Sequence, residues 1–147
     1  MHDDKNIINL EIIRPSNQKA AALPLAEAVI SAGFPSPADD YLETRLDLNK
    51  ELISNQSATF YARVKGDSMY LAGIADGDLL IIDKSKIPRN GSVVVCLIDG
   101  EFTVKRLVKQ ANNLYLMPEN PDFKPIKLKS QNDVKIWGVV TYTIKKH

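Results

Sequence analysis

The chain has 147 residues, 44% of them hydrophobic and 25% charged, with a net charge of +1; that suffices for one domain with a real core and is short for two. So small a charge leaves no strong electrostatic footprint for nucleic acid or an anionic membrane. A single cysteine, Cys96, excludes an internal disulfide framework.

No apolar run approaches the roughly 20 residues that span a bilayer. The acidic start Met1-His2-Asp3-Asp4-Lys5 is unlike a signal peptide, so a cytoplasmic protein is expected. The charge is uneven: residues 1–58 carry 5 basic and 9 acidic side chains, and residues 59–147 carry 14 and 9. The only histidines, His2 and His147, stand near the two ends. A Ser-His-Asp or Cys-His hydrolase therefore has no base, and no Cys/His cluster has zinc-ligand spacing. Neither metal nor cofactor is expected, and a serine nucleophile here needs a proton acceptor other than histidine.

In chain order, residues 1–31 read as an arm, within which Leu23–Ile30 is compatible with a helical turn or a strand. Pro35 and Pro37 then fix φ and remove donors, so the stretch from Gly33 is extended. Leu48–Ile53 reads as a short helix with Asp47 as its N-cap. From Thr59 the pattern changes to strands. Thr59–Lys65 alternates apolar and polar residues, and Leu79–Ile82 and Ser92–Ile98 are short Val/Ile-rich runs. Asp99-Gly100 is a hairpin turn between Val93–Ile98 and Glu101–Val108. Leu114–Met117 and Val134–Ile144 complete the set, and Asp76-Gly77-Asp78 reads as a further turn. Short strands with tight turns predict a mostly β, single compact domain.

Two residues carry candidate chemistry. Ser68, in Lys65-Gly66-Asp67-Ser68-Met69, follows a strand closely after a glycine, where a hydroxyl can be exposed and nearby N–H groups aimed at a carbonyl oxygen. The same residue types also make ordinary turns. Tyr70 stands where a G-x-S-x-G elbow needs its second glycine, which disfavours an α/β-hydrolase. Lys105 lies in Glu101-Phe102-Thr103-Val104-Lys105-Arg106-Leu107, where alternation puts Thr103, Lys105 and Leu107 on one face. Most strand lysines are solvated; a buried one has a depressed pKa and can accept a proton as the neutral amine. Cys96 sits in a buried-looking run and reads as packing. Lys124, Lys127 and Lys129 read as a solvated face.

Taken together, Ala32-Gly33-Phe34-Pro35-Ser36-Pro37-Ala38, Ser57-Ala58-Thr59-Phe60-Tyr61, Gly66-Asp67-Ser68-Met69, Asp76-Gly77-Asp78-Leu79-Leu80, Gly100–Leu107 and Trp137-Gly138-Val139-Val140 resemble the LexA/UmuD self-cleaving peptidases. Their order and spacing, with 37 residues from Ser68 to Lys105, are most similar to the UmuD type. The resemblance implies a β-rich Ser-Lys peptidase domain over 59–147, an extended linker and short helix over 33–58, and a mobile N-terminal arm, 1–32, removed by self-cleavage. It implies Ser68 as nucleophile, Lys105 as general base, the N–H groups of Asp67 and Ser68 as oxyanion hole, and Ala32-Gly33 as the scissile bond. It also implies a homodimer, stimulation by a RecA–single-stranded DNA filament, and a cleaved form that serves a UmuC-type polymerase in error-prone translesion synthesis. Neither membrane association nor direct DNA binding is expected.

Three other functions compete. A LexA-like or phage-type repressor needs a multi-helix DNA-binding head, and the 32 residues before the cut lack two clear amphipathic helices. A signal-peptidase-like enzyme is disfavoured by the absence of a membrane segment. In a non-enzymatic binding module, the Ser and Lys would be incidental.

Overall fold

The computed structural model describes residues 10–13, 22–26, 43–129 and 134–147. The described residues form two compact units, one from Leu10–Ile13 with the described part of 55–147, the other from the described part of 16–54.

Among its described residues the smaller unit is a two-stranded antiparallel sheet and one short helix. Strands β1 (Leu10–Ile13) and β2 (Ala22–Ala26) come first in the chain, and β2 pairs antiparallel with β3 (Glu43–Asp47) in the register Leu23↔Leu46. Of the stretch compatible with helix or strand, Leu23–Ala26 is therefore strand, and 27–30 lies outside the described residues. Helix α1 (Leu48–Leu52) follows directly, and the Asp47 carboxylate accepts from the N–H of Asn49 at 3.0 Å. That bond satisfies one of the donors a helix start leaves open, as expected of an N-cap.

The larger unit is mostly β. Its strands are β1, β4 (Thr59–Val64), β5 (Leu79–Asp83), β6 (Val93–Ile98), β7 (Glu101–Gln110), β8 (Asn113–Met117), β9 (Ile126–Lys127) and β10 (Val134–Ile144). They form one sheet in the order β1-β4-β5-β10-β6-β7-β8-β9, with every neighbouring pair antiparallel. The expected hairpin is present: Asp99 (φ 50°) and Gly100 (φ 80°) both take the left-handed region that a two-residue turn between twisted strands requires. The β7–β8 hairpin turns at Ala111-Asn112, with Ala111 at φ 52°, and carries no such signature in the sequence.

Val94, Val95 and Cys96 are buried in succession on β6, which means that both faces of the sheet are covered there. On one face Val95 and Val104 join Ala62, Val64, Met69, Ile74, Leu80 and Ile82. On the other, Val94 and Cys96 join Leu107, Leu116 and Val139. The long strand β10 serves both neighbours by slipping register between Ile136 and Gly138 against β6, and between Val140 and Tyr142 against β5. Gly138 is required at the first slip, because a Cβ there would lie 2.6 Å from Ile82 Cγ2. No helix among the described residues is long and apolar enough to cross a membrane.

Candidate active site

Strand β4 ends at Val64, and the chain turns at Gly66 (φ 100°) into Asp67, Ser68, Met69 and a single 3₁₀ turn, Tyr70–Ala72. Met69 anchors this loop in the core, fully buried among Val64, Ile74 and Leu80. Polar contacts then fix the loop from two directions. From the Asp76-Gly77-Asp78 turn, the Asp76 carboxylate accepts from the N–H of Gly66 at 2.9 Å, and the Gly77 N–H donates to the Val64 carbonyl at 2.8 Å. From the segment after β8, the Glu119 N–H donates to the Ser68 carbonyl at 2.9 Å, and the Leu71 N–H donates to the Glu119 carbonyl at 3.0 Å. The Asn120 side-chain amide donates to the Asp67 carbonyl at 3.0 Å. The carbonyls of Asp67 and Ser68 are thus both engaged, while their N–H groups are donors in none of these bonds.

Ser68 is 1% exposed, and among the described residues its Oγ has no hydrogen-bond partner. Lys105 is 3% exposed, on β7 opposite Val94 of β6. A buried hydroxyl without a partner is uncommon, because it forfeits hydration for nothing. A buried lysine without an ion pair is rarer still, and among the described residues Lys105 has none. Its Nζ lies 5.7 Å from the centroid of the Phe123 ring. Burial pushes the Lys105 pKa below its ordinary value, against a smaller opposing pull from Cys96. The same burial pushes the Cys96 thiol up to about 12, against a smaller downward pull from Lys105. Cys96 is therefore a neutral packing residue, as its run predicts.

The segment 118–120 that follows β8 holds the Ser68 loop and the neighbour of Lys105, Arg106. Arg106, next to Lys105, pairs with Met117 across β7 and β8, and its guanidinium bonds the Glu119 carboxylate. The same Glu119 backbone holds the Ser68 loop. No hydrogen bond joins Ser68 Oγ to Lys105 in this structure. Ala32 and Gly33 lie outside the described residues.

Two features escape a reading of the sequence. Thr103 shares the face of Lys105, as alternation requires, and its Oγ1 is buried without a partner; with Ser68 Oγ it makes two such side-chain atoms among the described residues. Asn120, 5% exposed, has no motif around it that advertises its bond to a loop 53 positions away. Beside the loop, a groove of about 300 Å³ is lined by Leu71, Met117, Pro118, Glu119, Pro121 and Phe123, among others. Lys124, Lys127 and Lys129 are exposed, as expected.

The Peptidase S24-like family model matches residues 24–141, which include Ala32, Gly33, Asp67, Ser68, Lys105 and Asn120. The chain is 42% identical to Protein ImpA of Salmonella typhimurium over 133 residues, covering 90% of each chain. It is 43% identical to Protein MucA of Escherichia coli over 127 residues, covering 86% of each. To the LexA repressor of Caldicellulosiruptor saccharolyticus it is 40% identical over 144 residues, covering 98% of this chain and 65% of the repressor.

Proposed function

The chain belongs to the Peptidase S24-like family, of the LexA/UmuD self-cleaving type, and from that premise we propose that it cuts its own chain once, between Ala32 and Gly33. Lys105, whose pKa burial lowers, takes the proton as the neutral amine from Ser68 Oγ as the oxygen attacks the Ala32 carbonyl carbon. The oxyanion that forms is held by the N–H groups of Asp67 and Ser68, whose carbonyls are already engaged on the other side. Collapse breaks the Ala32–Gly33 bond, and the Lys105 ammonium returns the proton to the departing Gly33 amine. Water, deprotonated by Lys105, then hydrolyses the Ser68 ester and frees the Ala32 carboxylate.

One observation supports this most: among the described residues a buried serine hydroxyl without a hydrogen-bond partner and a buried lysine without an ion pair, with the segment at 117–120 holding the serine's loop and the lysine's neighbour Arg106. The near-complete matches to ImpA and MucA favour a UmuD-like SOS-response protein over a LexA-like repressor, 65% of which is matched. In this role the protein is cytoplasmic and homodimeric, and its cleavage is stimulated by a RecA–single-stranded DNA filament. Residues 33–147 then act with a UmuC-type polymerase in translesion synthesis. Intact-mass analysis after incubation with that filament is expected to yield a product that begins at Gly33 and retains 115 residues. A different new N-terminus, or undiminished cleavage by Ser68→Ala, overturns the assignment.

A further inference from the structure

A peptide unit is planar and trans, so its C=O and N–H point in opposite directions. The Asp67 carbonyl and the Ser68 N–H belong to one such unit. Whatever holds that carbonyl therefore aims that N–H. Two donors hold it: the Tyr70 N–H at 3.2 Å, within the loop itself, and the Asn120 Nδ2 at 3.0 Å, from outside.

Asn120 is built for this task. Its Oδ1 accepts from the Asp122 N–H at 2.9 Å, which leaves Nδ2 as the end that faces Asp67. Its own carbonyl accepts from the Phe123 N–H at 3.1 Å, closing a tight turn that keeps the side chain from swinging away. The residue is 5% exposed, so water competes poorly for either end. One residue earlier, the Glu119 N–H fixes the next peptide unit through the Ser68 carbonyl, and the Glu119 side chain is tethered to Arg106 beside Lys105.

We propose that Asn120 is a positioning residue that orients the Asp67–Ser68 peptide so that the Ser68 N–H faces the oxyanion. This rests on the self-cleavage reading above and extends it to a residue that does not touch the reacting atoms. Oriented donors act chiefly on the transition state, so their loss lowers the rate without changing which group titrates.

Asn120→Asp is the discriminating change, since it keeps the shape and the Oδ1 acceptor but sets a second acceptor against the Asp67 carbonyl. The plateau rate of RecA-independent self-cleavage at alkaline pH is expected to fall about 10–100-fold, with the pH midpoint unchanged. The Ser68 amide ¹⁵N resonance is expected to move well beyond the scatter of amides remote from the loop. Asn120→Ala, which removes the donor without adding an acceptor, is expected to give a smaller loss in the same direction and serves if the aspartate variant fails to fold. A folded variant with an unmoved Ser68 resonance, or with a plateau within about twofold of wild type, overturns the proposal. The resonance is read without any cleavage. If the parent chain does not cut while the resonance still shifts, the self-cleavage reading fails and the peptide-orienting contact stands.

Discussion

Ser68 and Lys105 are both buried, yet the loop that carries one and the strand that carries the other are held by different forces. The loop has little regular structure; apart from the buried Met69 it is fixed by single polar contacts, Asp76 to the Gly66 N–H on one side and Glu119 and Asn120 to the Ser68 and Asp67 carbonyls on the other. Lys105 is fixed by a ladder, with β6 on one side, β8 alongside from Arg106 onward, and Val94, Cys96 and Leu107 on its face. Under the proposed mechanism, the difference matches what each residue has to supply. Aiming donors is a matter of direction, which hydrogen bonds provide. Lowering a lysine pKa is a matter of excluding water, which packing provides. The loop is therefore expected to be sensitive to single-atom changes that the strand tolerates, and the strand to changes in charge and volume.

The largest expected effect tests the strand's half. Lys105→Arg is expected to abolish cleavage at every pH, because guanidinium does not lose its proton in proteins. In the parent chain the RecA-independent rate is expected to rise with pH and level off below the ordinary lysine range, since burial lowers the Lys105 pKa. Near-normal cleavage by the arginine variant would remove the lysine from the mechanism.

Next comes the loop's half. Asp76→Ala removes the acceptor for the Gly66 N–H and is expected to slow cleavage about tenfold or more, given how steeply rates depend on placement. The cost in stability is about 1 kcal/mol, read by urea denaturation. A rate within twofold of the parent would show that the Glu119–Asn120 side holds the loop alone.

A third prediction separates charge from catalysis on the strand. A lysine with a depressed folded pKa binds fewer protons folded than unfolded, in the window from that pKa up to the unfolded value. Stability from this group therefore rises with pH across the window, and below it the full penalty of burying the charge is felt. Lys105→Met is expected to be more stable than the parent at pH 7, on the order of 1 kcal/mol for each unit of pKa depression. The gap should narrow as pH rises toward the unfolded lysine pKa. Cys96, with its thiol pushed up to about 12, binds more protons folded than unfolded above its ordinary 9.0, so it works in the opposite direction there. Measuring both proteins on a Cys96→Ala background isolates the lysine.

The smallest effect concerns the far end of β7. Ala111 occupies the left-handed region at φ 52° in an exposed turn. Ala111→Gly is expected to raise stability by up to about 1 kcal/mol by relieving that strain. The cleavage rate should not change, since the ladder holds Lys105 regardless of how its hairpin turns.

Much of the molecule follows from sequence, because its cues are local. The Val/Ile-rich runs of β5, β6 and β10, the Asp99-Gly100 turn and the Asp47 cap each need only their neighbours to be recognised. The mostly β character followed from them. Ser68 and Lys105 were legible as residues, through motifs in a fixed order. Other features depended on tertiary structure, because they arise between segments distant in the chain. Strand β1 needs β4 to pair with, and the β7–β8 turn at Ala111 is imposed by the register of two strands rather than by its residues. The desolvation of Lys105 is not a property of its strand, since most strand lysines are solvated; it exists once the fold packs other segments around its side chain. Asn120 looks like any loop asparagine until the fold lays it against the Asp67 carbonyl. The sequence therefore determined which residue types were available for the chemistry. The tertiary structure decided which of them lost water and which were aimed, because burial and direction are both set by neighbours the local sequence does not contain.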